Sequence, residues 1–215
     1  MRIALLHTFE SNIALFTQAA ARFGLPADAL AHAVRADLRA AAEAGAPDLE
    51  QRVCAALETL SQTADVVVLT CSTLSGAARA LAATSPVPIL RADYVLAQRA
   101  LQASDSIVAL CATEASALYT QRLFEEAGKR AGQRVEARVV PDCGLQLQQG
   151  NTQAALRLTA LAAEQASQQG ATEVVLMHPW MEGALATMAT DRVPLSSAPV
   201  SLSAALNILR AASAD

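Results

Sequence analysis

Asp65-Val66-Val67-Val68-Leu69-Thr70-Cys71-Ser72-Thr73 is the stretch on which the fold turns. Four apolar residues, three of them β-branched, follow an aspartate and stop at a small polar cluster that holds a cysteine. Such a run reads as a strand buried on both faces, the kind found in parallel sheets. Ligands of open parallel sheets bind just beyond the carboxyl ends of the strands. Cys71, Ser72 and Thr73 fall at that edge. Gly76-Ala77-Ala78-Arg79-Ala80-Leu81 then reads as a helix, whose first amides point back toward the cysteine. A helix start favours anions, so it lowers a thiol pKa and attracts a carboxylate.

Working outward, Arg2 to Leu6 reads as a first strand that ends at His7-Thr8. Ser11 or Asn12 caps a helix that Gly24 and Pro26 stop. Ala29 to Val34 reads as a second strand, with a helix running on to Ala44 as the alternative. Pro47 suits the first turn of a helix reaching Thr63. After the central strand, Pro86 to Leu90 is short and extended, and Tyr94 to Gln102 is helical. The pattern then restarts. Ser106 to Leu110 is a strand, Thr113 caps a helix reaching about Ala131, and Arg134 to Val140 is a strand. Residues 141 to 151 read as a loop, Thr152 to Gln168 as a long helix, and Glu173 to Met177 as a buried strand ending at His178-Pro179-Trp180. A last helix covers Leu202 to Ala212. Strands alternating with helices imply parallel sheets. The halves match: Ile3–His7 corresponds to Ile107–Cys111, and Asp65–Thr73 to Glu173–Met181. The expected architecture is therefore α/β with two pseudo-symmetric lobes, each a three-layer unit around a parallel sheet. The polar strand ends would meet at a cleft between the lobes. Residues 1–95 plus 200–215 form the first lobe, and 96–199 the second.

The 215 residues suffice for two small cores, and alanine dominates a hydrophobic fraction of 53%. The net charge of −4 and the lack of any Lys/Arg cluster argue against a nucleic-acid partner. No apolar run approaches the ~18 residues of a membrane span. The opening Met1 to His7 is too short in its apolar part for a signal peptide. Four cysteines at 54, 71, 111 and 143 lack CxxC spacing, which points to reduced thiols and a cytoplasmic protein. The alanine-rich helices permit a homodimer without requiring one.

The duplication pairs Cys71 with His178 and His7 with Cys111. Free cysteine is often a buried small hydrophobe, which is the reading for Cys54 and Cys111; Cys143 receives no role. A Thr-Cys-Ser-Thr turn before a helix favours chemistry at Cys71 instead. His7 admits a structural role and a site role equally, and His32 reads as structural or exposed. His178 can move a proton near neutral pH or orient a neighbour. A Cys2His2 zinc site from His7, Cys71, Cys111 and His178 is conceivable, but the close-spaced ligand pairs are missing, so no metal is expected. The phosphate loops GxGxxG and GxxxxGK[ST] and the hydrolase elbow GxSxG are absent.

Three segments carry a resemblance: Val67-Val68-Leu69-Thr70-Cys71-Ser72-Thr73, Pro86-Val87-Pro88-Ile89-Leu90-Arg91-Ala92-Asp93, and Ala112-Thr113-Glu114-Ala115-Ser116. In order and spacing the chain resembles the aspartate/glutamate racemase superfamily, with hydantoin racemase, maleate isomerase and arylmalonate decarboxylase among its members. The resemblance implies an active site between two lobes, a C-terminal helix returning to the first lobe, and cofactor-free chemistry at a carbon next to a carboxylate. In the racemases one cysteine takes a proton as thiolate and a second gives one as thiol. The resemblance therefore assigns Cys71 as base or nucleophile. Ser72, Thr73, Thr113 and Ser116 would bind the carboxylate of a small substrate, with His7 and Thr8 at the same edge. The second cysteine is replaced here by His178, so Cys71 and His178 form the expected catalytic pair. A one-thiol reaction, such as decarboxylation of a malonate-type acid, and non-catalytic carboxylate binding are the alternatives. Glu10, Arg91, Asp93 and Glu114 are candidates for reading the rest of the substrate.

Overall fold

The computed structural model describes residues 1–189 and 192–212. The chain divides into two compact units, Met1–Val95 with Ala198–Asp215, and Leu96–Ser197. In chain order the elements are β1 (Ile3–His7), α1 (Ser11–Arg22), β2 (Leu30–Val34), α2 (Ala36–Glu43), α3 (Leu49–Ser61), β3 (Val66–Leu69), α4 (Ser72–Thr84), β4 (Ile89–Arg91) and α5 (Ala92–Ala103). The second series is β5 (Ser106–Cys111), α6 (Glu114–Glu126), β6 (Arg134–Val139), α7 (Cys143–Gln148), α8 (Thr152–Gln168), β7 (Glu173–Leu176), a 3-10 helix (Pro179–Ala186), β8 (Leu195–Ser196) and α9 (Ser197–Ala212).

The first unit holds a parallel sheet of order β2-β1-β3-β4, with Ile3 opposite both Leu30 and Val66. The central run behaves as its composition requires. Val67 and Leu69 enter a cluster with Leu38, Val53, Leu57 and Leu74, from α2, α3 and α4. Val66 and Val68 enter a different cluster with Phe16 and Ala19 of α1 and Leu202 and Ala205 of α9. The sheet is thus the middle of three layers. Each such valine or leucine contributes about 1.5–3 kcal/mol by leaving water.

The second unit repeats the plan as β6-β5-β7-β8, again all parallel. Val108, Leu110, Val174 and Leu176 pack on Ala155, Ala163 and Ala166 of α8 and Cys143 of α7. Helix α6 packs against β5 and β6. The two-lobed, parallel α/β plan is the one expected from sequence, including the second strand that competed with a helix.

Several boundaries differ. The helix after Thr113 ends at Glu126, not Ala131. Gly128 takes φ +92 and hands its N–H to the Glu125 carbonyl, while the Lys129 N–H reaches Phe124. That is a Schellman closure, which a residue free to adopt positive φ permits. Within the expected loop 141–151 lies α7, whose Cys143 is fully buried. Pro47 precedes α3 rather than opening it. The last helix starts at Ser197, directly after β8, a strand too short to leave a sequence pattern.

Candidate functional site

In each sheet the chain leaves the central pair of strands in opposite directions, so a topological switch point lies between β1 and β3, and another between β5 and β7. Crevices for ligands form at the carboxyl side of such points. At the first, the loop after β1 brings His7 and Thr8, and the turn after β3 brings Thr70, Cys71, Ser72 and Thr73. At the second stand Ala112, Thr113 and His178.

The ladders fix which residues correspond. The Thr70 N–H bonds to the Leu6 carbonyl, and the Met177 N–H to that of Leu110. Cys71 and His178 are the next residues in each case. Both are helix N-caps with nearly the same extended backbone, φ −111 and ψ 113 for Cys71, φ −113 and ψ 133 for His178. The helix that follows Cys71 is the 13-residue α4; the one that follows His178 is a 3-10 helix opened by Pro179.

Cys71 touches the apolar cluster under α4 but keeps 8% of its surface open, whereas Cys111 and Cys143 keep 0%. Burial pushes the Cys111 thiol up to about 11, so it stays protonated at neutral pH; its Sγ leans on Thr120. Ser72 and Thr73 are the first two residues of α4, with amides facing the thiol end of the helix. The helix is anchored from below. Arg91 Nε donates to Ser75 Oγ at 2.7 Å, and Ser75 donates to Asp93 Oδ1 at 2.7 Å, which also accepts the Tyr94 N–H. Arg91 and Asp93 are therefore committed to holding α4, and both are buried. Glu10 is exposed at the start of α1, and Glu114 is exposed at the start of α6.

His7 is fully buried and uses both ring nitrogens, Nδ1 with Thr70 Oγ1 at 2.8 Å and Nε2 with His32 Nδ1 at 2.9 Å. It has no ring nitrogen to spare for a ligand. Desolvation, then the neighbouring His32, lower its pKa to about 3. Thr8 Oγ1 and Asn12 Oδ1 are buried and have no hydrogen-bond partner among the described residues. Thr113 and Ser116 form a capping box on α6, each side chain accepting the other's backbone N–H.

His178 retains part of its surface, yet protein atoms crowd it enough that desolvation lowers its pKa to about 4. Its Nε2 accepts the Ala112 N–H at 3.1 Å. The ring is therefore neutral at pH 7 with its proton on Nδ1, a hydrogen-bond donor. Trp180 lies 13° from parallel to it, at 6.0 Å between centroids. Among the described residues no three His, Cys, Asp or Glu side chains gather as metal ligands would, and no helix is long and apolar enough to cross a membrane.

No family model and no curated protein matches the sequence. Solved structures do. A glutamate racemase from Bacillus anthracis superposes with a TM-score of 0.67 at 14% identity, over 97% of this chain and 81% of that one. An aspartate racemase homologue from Pyrococcus horikoshii gives 0.67 at 14% identity, over 96% and 98%. An allantoin racemase from Pseudomonas fluorescens gives 0.62 at 16% identity, over 99% and 92%. The chain has the Asp/Glu racemase fold. Within that fold Cys71 and His178 hold matched positions, each two residues beyond the end of an apolar strand. His32, read from sequence as structural or exposed, is half-buried and bonded to His7, and Thr70 is bonded to the same ring. Leu5 faces His32 across the β1–β2 ladder, so His32 and His7 share one side of the sheet.

Proposed function

We propose that the protein is a cofactor-independent, racemase- or isomerase-like enzyme acting at the carbon next to the carboxylate of a small substrate. Cys71 is its base or nucleophile, and His178 of the second unit serves the same substrate. The observation that carries this reading is the position of Cys71: the N-cap of a 13-residue helix at the switch point of a parallel sheet, in a chain with the racemase fold.

As base, the Cys71 thiolate takes the α-proton. The C–H electron pair moves into the carboxylate, giving an enediolate. For inversion a solvent proton reaches the opposite face of the carbon and the thiol gives its own proton back to solvent, whereas return from the thiol to the face it left gives exchange alone. Negative charge at sulfur and at the carboxylate oxygens meets the positive end of α4 and its free amides. His178 contributes its Nδ1–H as a hydrogen-bond donor to enediolate oxygen. A neutral imidazole suits that task, because it stabilises charge without protonating it away.

The same feature of His178 favours a second reading. With Nε2 tied to Ala112, the ring offers no basic nitrogen to a substrate. One thiol then does the proton transfer alone, as in decarboxylation of a malonate-type acid, where Cys71 protonates the enediolate left by carbon dioxide. The test is a panel of small α-substituted carboxylates in deuterated buffer, followed by NMR. Deuterium entering at the α-carbon supports the first reading, and carbon dioxide from a substituted malonate supports the second. Either activity should fall by about a hundredfold or more in Cys71→Ala with the far-UV spectrum unchanged. Undiminished turnover in Cys71→Ala overturns both. Ligand-induced thermal stabilisation with neither reaction marks a carboxylate-binding protein instead.

A further inference from the structure

A row of polar side chains crosses the first sheet at its carboxyl end, on the face covered by α1. Thr70 Oγ1 donates to the Leu6 carbonyl at 3.1 Å, so it accepts from His7 Nδ1–H at 2.8 Å. His7 Nε2 must then accept, and His32 Nδ1–H supplies that bond at 2.9 Å. His32 Nε2 in turn accepts from the Thr17 hydroxyl at 3.3 Å. One tautomer of each ring satisfies the whole chain, and its direction is fixed from Thr17 on α1 to the backbone of β1. Phe16 packs on the His7 ring, and the two imidazoles lie 19° from parallel.

The second unit shows that the fold has no need of this row. Strand register places Cys111 where His7 stands, Ala137 where His32 stands, and Met177 where Thr70 stands. The same sheet therefore closes with three side chains that carry no such relay. Burying the His7 imidazole fully and that of His32 in part costs desolvation that an alanine and a thiol do not incur. The row occurs in the lobe that holds Cys71, and it ends on the residue immediately before Cys71.

We propose that His7 and His32 are positioning residues for Cys71: they clamp Thr70 to β1 and so fix the turn that presents the thiol at the head of α4. This rests on the reading of Cys71 as the reactive group, but its test does not need a substrate. Neutral imidazole pairs of this kind give distinctive nitrogen shifts, and both rings are expected as the Nδ1–H tautomer at pH 7.5. The rate at which iodoacetamide labels Cys71, read by peptide mapping of the full-length protein, reports how the thiol is held.

Replacing His7 by Phe keeps the packing on Phe16 and removes the bond to Thr70. The labelling rate should then shift by about fivefold or more, the scale of one lost hydrogen bond. His7→Asn, whose amide can replace the Nδ1–H donor, should return it to within about twofold of wild type. Thr70→Val should behave as His7→Phe does, and it decides the matter if His7→Phe does not fold. His32→Phe should shift the rate in the same direction. A Cys71 rate unchanged in both His7→Phe and Thr70→Val, with only the melting temperature lowered, overturns the proposal. So does an Nε2–H tautomer at His7. Because labelling is independent of turnover, a failed substrate panel leaves this result standing, and the reverse holds too.

Discussion

The Ala112 amide decides what His178 can offer. With Nε2 accepting that N–H, the imidazole has Nδ1–H alone left for another partner. Removing the ring would also leave a backbone donor unpaired. His178→Ala should therefore lose about 1–3 kcal/mol in urea unfolding. His178→Gln, whose Oε1 falls near the place of Nε2, should recover most of that loss. If both variants unfold alike, the bond to Ala112 is not worth what its geometry suggests. Glutamine also separates the two tasks of the residue, since it keeps the Ala112 contact while changing the donor. The positions of Cys71 and His178 at strand ends are legible in the sequence, because each follows an apolar run. The relay behind Cys71 is not, because His32 lies in a strand whose alanines also suit a helix and it meets His7 only through pairing.

An element is legible in the sequence where its periodicity is long, and illegible where a few atoms decide it. Helix α8 has the bounds the sequence predicts, since its apolar positions repeat over four turns and Gly170 stops it. Helix α7 falls where the sequence predicts a loop, because Pro141-Asp142-Cys143-Gly144 has the composition of a turn. Its reason for being helical is tertiary: Cys143 is buried, with Sγ against the Ala155 carbonyl and Thr159. Gly144 lets it approach the strand-end turn of β5. A Cβ there would stand 2.7 Å from the Ala112 carbonyl oxygen and 3.1 Å from Thr113 Cγ2. Gly144→Ala should cost about 1–3 kcal/mol, because the obstacle is backbone and cannot rotate away. Gly76 in α4 is the contrast: its backbone is helical and nothing lies within 4 Å of an added Cβ. Gly76→Ala should stabilise by about 0.5–1 kcal/mol. Matched urea melts of the two variants check both signs at once, and a stabilising Gly144→Ala would show that α7 is free to move off the turn.

At the scale of the whole molecule, all three histidines are held below their ordinary pKa. His7 falls to about 3 and His178 to about 4, chiefly through desolvation, and His32 is lowered for the same reason. An unfolded chain takes up these protons near pH 6.5, whereas the folded chain refuses them until far lower pH. The unfolded state then binds more protons, so stability rises with pH across this window and is lost as pH falls from about 6.5 toward 3. Carboxylates act later: Asp37, held to about 2 by its bond to Arg35, matters only below the ordinary carboxylate range. The protein should therefore begin to lose stability well above the pH at which its acids titrate. Urea unfolding at steps between pH 3 and 8 checks this. The slope contributed by one buried histidine is at most about 1.4 kcal/mol per pH unit. His7→Asn should reduce the slope over the whole of that window, and His178→Gln only above about pH 4. A wild-type profile flat from pH 6.5 to 5 would mean that the folded protein accepts these protons, and that the rings are wetter than their burial implies.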